Sequence, residues 1–216
     1  PEPVAKNLGL ISKEMKSRAY DIGIVTDGDA DRIAIFDEYG NFIDAQKTFA
    51  LLLTYLIEEK KMTGGVVRGF SSSELIKRIC ENFGLKLYTV PIGFKYISEL
   101  MIKEDILIGA EESGGIGLKQ HLPERDGMFN GMMFSEMLAV KKKKLSELIS
   151  DIEKKFGKFY YKRIDMHLSS NDLKSELIAI TAGLKEVAGF KVINKDTLDG
   201  CKLIFDSGWL LVRASG

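Results

Sequence analysis

Asp27, Asp29 and Asp31 stand at alternate positions in DIGIVTDGDADRIAIFDEYGNFID (21–44), with Arg32 directly after them. Alternate side chains of an extended chain point the same way, so these carboxylates can converge where the chain curls. Gly28 and Ala30 leave room for the bend. Three like charges so close repel one another, and a hard divalent cation is the simplest neutraliser. Arg32 adds a planar, permanently charged fork that suits a phosphate. The chemistry this combination fits is Mg2+-assisted handling of phosphate. A calcium EF-hand does not fit. Counting from Asp27, the twelfth position is Glu38 as required, but the sixth is Arg32 where the turn needs glycine, and the flanks read as strands. The plain alternative is an exposed acidic loop that holds no ion.

A second group lies in GAEESGG (109–115), where Glu111 and Ser113 follow the apolar ILIG. An acceptor and a donor on a glycine-permissive loop at a strand's carboxyl end occupy the place where open α/β sheets bind ligands. Gly93 and Lys95 stand in PIGFKYI, a loop entering a helix, and Arg68 follows the strand-like GVV. Either cation could meet a phosphate. The methionines of MFNGMMFSEML recur at helical spacing and read as core.

These residues need a frame to hold them. LGLISKEMKSRA reads as a helix, and DIGIV and RIAIF as strands flanking the aspartate loop, with DEYGN as a turn. Beyond them, AQKTFALLLTYLIEEKK predicts a helix, GVVRGF a strand and SSELIKRICENFG a helix with a serine cap and glycine stop. LKLYTV and DILIGAE read as strands, GFKYISELMIKE and DGMFNGMMFSEMLAV as helices. This order predicts an α/β fold, an open mixed or parallel sheet with helices on both faces. Near residue 157 the pattern changes to a smaller α+β domain, with a long strand in KKFGKFYYKRIDMHLS (154–169), a helix in SNDLKSELIAITAGLKEVAG and a hairpin around Asp206-Ser207-Gly208. The KKKK run at 141–144 reads as a solvated helix end.

The 216 residues allow one large domain or two small ones. Lys plus Arg and Asp plus Glu are 31 each, a zero balance that argues against general binding to nucleic acid or a membrane surface. Cys80 and Cys201 do not form a disulfide framework and read as buried thiols, which suggests a cytoplasmic setting. No apolar run reaches bilayer-spanning length, and the start does not look like a signal peptide. Opening on Pro1 and closing on LLVRASG, the sequence reads as a fragment.

TDGDADR, followed in order by GFKYI (93–97), GAEESGG, DG (126–127) and VRASG (212–216), resembles the α-D-phosphohexomutases, the phosphoglucomutase and phosphomannomutase enzymes. The resemblance implies a four-domain enzyme. Residues 1–41 would end domain two, 42–153 form domain three, and 154–216 form an incomplete domain four. The implied activity moves a phosphate between the 1- and 6-positions of glucose or mannose through a phosphoserine and a bisphosphorylated intermediate. That serine belongs to domain one, so this chain by itself is not expected to catalyse the reaction, and the missing N-terminal domains are its implied partners, with a hexose phosphate as substrate. Asp27, Asp29 and Asp31 would hold Mg2+, and Arg32 would contact the phosphate in transit. Glu111 and Ser113 would grip sugar hydroxyls, with Glu112 a spacer facing away. Gly93 and Lys95 would lie near substrate, and Arg213, Ser215 and Gly216 would open the phosphate-binding loop. Some relatives carry a histidine where this chain has Gly115, which leaves the general acid/base open between Lys95 and His121. His167 reads as structural, and Arg125 and Asp126 as lining the cleft. A non-catalytic sugar-phosphate-binding or regulatory module is the alternative.

Overall fold

The computed structural model describes residues 2–166 and 171–214. The chain divides into two compact units, one running to Tyr161 and the other starting at Lys162.

The first unit opens with a 3-10 turn (Ala5–Asn7) and α1 (Gly9–Ser17), then β1 (Gly23–Thr26), β2 (Ile33–Phe36) and β3 (Phe42–Ile43). These strands form an antiparallel sheet in chain order. The turn between β2 and β3 is held by Asp37, whose carboxylate accepts from the Tyr39 and Asn41 amides. Next come α2 (Ala45–Glu58), β4 (Gly65–Gly69), α3 (Glu74–Phe83), β5 (Leu87–Val90), α4 (Phe94–Lys103), β6 (Ile106–Ala110), β7 (Ile116–Leu118), α5 (Gly127–Lys141) and α6 (Leu145–Phe156).

The second sheet has the order β5-β4-β6-β7. β4 pairs parallel with both β5 and β6, and β7 returns antiparallel along β6. Val66 and Val67 show how it is sandwiched, because neighbouring residues of a strand face opposite sides. Val66 joins the large core with Phe49 and Leu52 of α2 and Ile76 of α3, while Val67 joins Phe94 and Ile97 of α4. Helices therefore cover both faces. α2 is buried on nearly every side, as its run of leucines requires. Side-chain caps start the helices: Asp44 for α2, Ser73 for α3 and Asp126 for α5. Gly84, with φ at 64°, stops α3 in the left-handed conformation.

Two elements depart from the sequence reading. α6 takes up Lys154–Phe156, and no strand is formed over 157–166, so the expected long strand from 154 is not present; 167–169 lie outside the described residues. Leu145, Leu148 and Phe156 bury one face of α6, Glu147 accepts the Lys144 amide at its start, and Gly157, with φ at 92°, ends it. β7, to which the sequence reading assigns no element, is what makes the sheet mixed.

The second unit holds α7 (Asn171–Gly183), the short hairpin β8 (Glu186–Val187) and β9 (Phe190–Lys191), and an antiparallel sheet of β10 (Asn194–Asp196), β11 (Cys201–Phe205) and β12 (Gly208–Val212). Phe205 faces Gly208, which leaves Asp206 and Ser207 at the hairpin tip. Buried Cys201 and Leu203 form its centre.

Candidate functional site

The aspartate loop joins β1 to β2. Its chain turns back through Ala30, whose φ of 58° is left-handed and whose amide donates to the Asp27 carbonyl at 3.2 Å. That turn gathers the acids. Asp27, Asp29 and Asp31 each offer an oxygen within 4.8 Å of the others'. Asp27 Oδ2 accepts from Arg32 Nε at 2.5 Å, and its Oδ1 accepts from the Arg32 amide at 3.1 Å. Burial works to raise the Asp27 carboxyl, but Arg32 outweighs it and holds the group below the usual range. Asp31 goes the other way. Burial raises it, Arg125 opposes, and the charges of Asp27 and Asp29 add to the rise. Asp31 Oδ1 is buried with no hydrogen-bond partner, and the Arg32 Nε stands off at 3.6 Å. A set of hard carboxylate oxygens with one left unsatisfied fits a divalent cation such as Mg2+.

Two segments clasp this loop through the main chain. The Ile33 amide donates to the Gly114 carbonyl at 3.0 Å, and Arg32 forms an isolated antiparallel bridge with Gly115. On the other side the Gly127 amide donates to the Ala30 carbonyl at 2.8 Å. A Cβ on Gly127 would lie 2.7 Å from the Arg32 carbonyl oxygen, so the approach requires glycine. Asp126 caps α5 by accepting the Phe129 amide at 2.8 Å, and Asn130 donates to the Ile116 and Asp126 carbonyls. The aspartate loop, the 111–115 loop and the start of α5 are thus tied to one another.

Glu111 follows β6 and is 7% exposed. Burial raises its carboxyl above the ordinary range and the neighbouring Glu112 adds to this, while Arg125 and a hydrogen bond from the Gly93 amide oppose it. Gly93 and Glu111 are therefore brought together, and Ser113 is half-buried on the same loop as Glu111. Lys95 is exposed in the first turn of α4, its Nζ 4.8 Å from the Tyr96 ring centroid.

The remaining candidate residues have these surroundings. Arg68 lies within β4, inside the GVVRGF stretch that reads as a strand, and is buried, with its guanidinium donating to Thr89 Oγ1, the Ser73 carbonyl and Glu74 Oε1. Its contacts bind β4 to β5 and to the start of α3. Glu112 Oε2 is buried without a hydrogen-bond partner, 3.8 Å from where a Cβ on Gly69 would sit. His121 pairs with Asp126 Oδ2 at 2.8 Å and stacks on Phe129, fastening the start of α5. Arg213 pairs with Asp199 at 2.8 Å within the second unit. Ser215, Gly216 and His167 lie outside the described residues.

Arg125 does more than line the cleft, which is all the sequence reading gives it. Its Nη2 lies 2.5 Å from Asp31 Oδ2 and its Nη1 lies 3.5 Å from Glu111 Oε2. The only signal in the sequence is a cation directly before the DG of the α5 cap.

Residues 44–156 match the family profile of phosphoglucomutase/phosphomannomutase, alpha/beta/alpha domain III. The chain belongs to this family. Across all 216 residues it is 35% identical to a phosphoglucomutase/phosphomannomutase of Thermococcus kodakarensis, and it spans 45% of that relative. A phosphoglucosamine mutase of Methanococcus maripaludis is 33% identical over the whole chain, which spans 47% of it. A solved structure from Thermus thermophilus, assigned as a phosphomannomutase, superposes with a TM-score of 0.86 at 34% identity, over the whole of this chain and 45% of that one. The chain thus spans less than half the length of the phosphohexomutases it matches. No helix of the described residues is long and apolar enough to cross a membrane.

Proposed function

We propose that this chain is the cation-binding and sugar-recognising part of a cytoplasmic phosphohexomutase that interconverts the 1- and 6-phosphates of glucose or mannose. Residues 1–41 would close its second domain, 42–153 form the third and 154–216 begin the fourth. The observation that carries the reading is the convergence of Asp27, Asp29 and Asp31 to within 4.8 Å of one another, beside Arg32 and tied by main-chain hydrogen bonds to the loop of Glu111.

Asp27, Asp29 and Asp31 would hold Mg2+. Once bound, such an ion neutralises charge on phosphate oxygens. Arg32, whose Nε is held by Asp27 and whose Nη1 lies 3.5 Å from Glu2 Oε1, would orient the phosphate that moves. In phosphoryl transfer, positioning and charge stabilisation are most of what a protein supplies. Glu111, whose charged form Arg125 and the Gly93 amide favour against the effect of burial, would accept from a sugar hydroxyl, with Ser113 beside it. Lys95, exposed at the mouth of α4, is free to move toward a phosphate or a proton, and Arg213, Ser215 and Gly216 would begin the fourth domain's phosphate loop. Arg68 has the weakest support among the substrate contacts, given its internal partners. The serine that carries the phosphate would come from the N-terminal part of the enzyme. GAEESGG favours glucose or mannose over glucosamine phosphates, although relatives of both kinds are matched.

The test uses the intact enzyme. Asp29→Asn is expected to abolish Mg2+-dependent interconversion of glucose 1-phosphate and glucose 6-phosphate while the circular dichroism spectrum is kept. Undiminished turnover would overturn the cation role.

A further inference from the structure

We propose that Arg125 is a positioning residue that couples cation binding on the aspartate loop to hexose recognition at Glu111. The inference rests on the phosphohexomutase reading given above and adds a link that reading does not need. One planar guanidinium reaches a carboxylate from each loop, Asp31 through Nη2 and Glu111 through Nη1. A guanidinium presents its donors to two separated oxygens in one fixed plane, whereas a lysine ammonium on a flexible stem keeps no such fixed spacing. The fork has little freedom to turn away. It lies over the Phe94 ring, 5.4 Å from the centroid, and its Nε is 3.6 Å from Glu124 Oε1. Its stem fills the space over Gly115, where a Cβ would meet Arg125 Cδ at 2.4 Å and Glu111 Oε2 at 3.2 Å. The missing side chain at residue 115 is therefore a condition for the arginine's pose.

The two carboxylates compete for this one cation. When Glu111 loses its charge, Arg125 is drawn wholly to Asp31 and contests that carboxylate with an incoming cation. When Glu111 is charged, the guanidinium is shared and Asp31 is easier to take. Coupling of this kind is reciprocal, so a bound cation also changes how strongly Glu111 is held.

The experiment is a double-mutant cycle on the intact protein, with Mn2+ binding followed by electron paramagnetic resonance. Glu111→Gln is expected to weaken Mn2+ binding by about fivefold with Arg125 present and by less than about twofold in the Arg125→Ala background. Arg125→Lys, which keeps the charge and protects against loss of fold, is expected to lose the coupling as Arg125→Ala does. Equal effects of Glu111→Gln in all three backgrounds would overturn the role of Arg125 and leave the phosphohexomutase reading standing. A wild-type protein that binds no Mn2+ would overturn that reading itself, and the coupling with it.

Discussion

The Gly114 carbonyl accepts the Ile33 amide at 3.0 Å, and a Cβ on Gly114 would sit 2.4 Å from the Ile33 carbonyl oxygen. Through this contact the loop after β6 lies against the strand that leaves the aspartate loop. Gly114 also has φ at 93°, where a side chain strains the backbone whatever the space around it.

Gly114→Ala is accordingly expected to destabilise the protein by on the order of 1–3 kcal/mol and to weaken hexose phosphate binding. Urea denaturation and calorimetry with glucose 6-phosphate measure the two effects. A wild-type midpoint together with wild-type affinity would mean that the loop does not depend on this contact.

Glu111 gives a pH dependence. Its carboxyl is raised from the ordinary 4.5 by burial first, so the folded state holds this proton more tightly than the unfolded state does. The stability it contributes is complete below pH 4.5 and is lost as pH rises through its folded value. The difference in unfolding free energy, Glu111→Gln minus wild type, should therefore climb with pH above that point and level off once the folded carboxyl is ionised. Denaturant titrations between pH 4 and 8 test this, and a flat difference would show that the carboxyl is not perturbed.

Burial pushes the Cys80 thiol up to about 12, with the charge of Arg68 working against it, and Cys201 is also buried. A thiolate is the reactive form. Neither cysteine should react with Ellman's reagent at pH 8 in the native protein, and modification should follow the rate of unfolding. Rapid labelling of the folded protein would contradict this packing.

The aspartate loop is legible in the sequence because its signal is local. Alternation places three acids on one side, small residues permit the turn, and the flanking apolar runs give the strands. Glu111 is legible for a similar reason, as an acid placed just past an apolar strand. The partners of Arg125 cannot be read that way, since Asp31 and Glu111 are remote in sequence and meet it only after β2, β6 and α5 assemble. The partners of Arg68 are hidden in the same way: its Nε and Nη1 donate to Thr89, Ser73 and Glu74, contacts that a cation near a strand end does not announce. α6 is obscured by its lysines. Its apolar face of Leu145, Leu148 and Phe156 is short, and the FYY cluster beyond Gly157 has the composition of a strand without pairing as one.

The two main-chain clasps, Ile33 to Gly114 and Gly127 to Ala30, act as a fixed gauge block. The gap between the three acids and Glu111 is set by these peptide groups and by the glycines that let them approach. A ligand that reached from the three acids to Glu111 would be measured against that length.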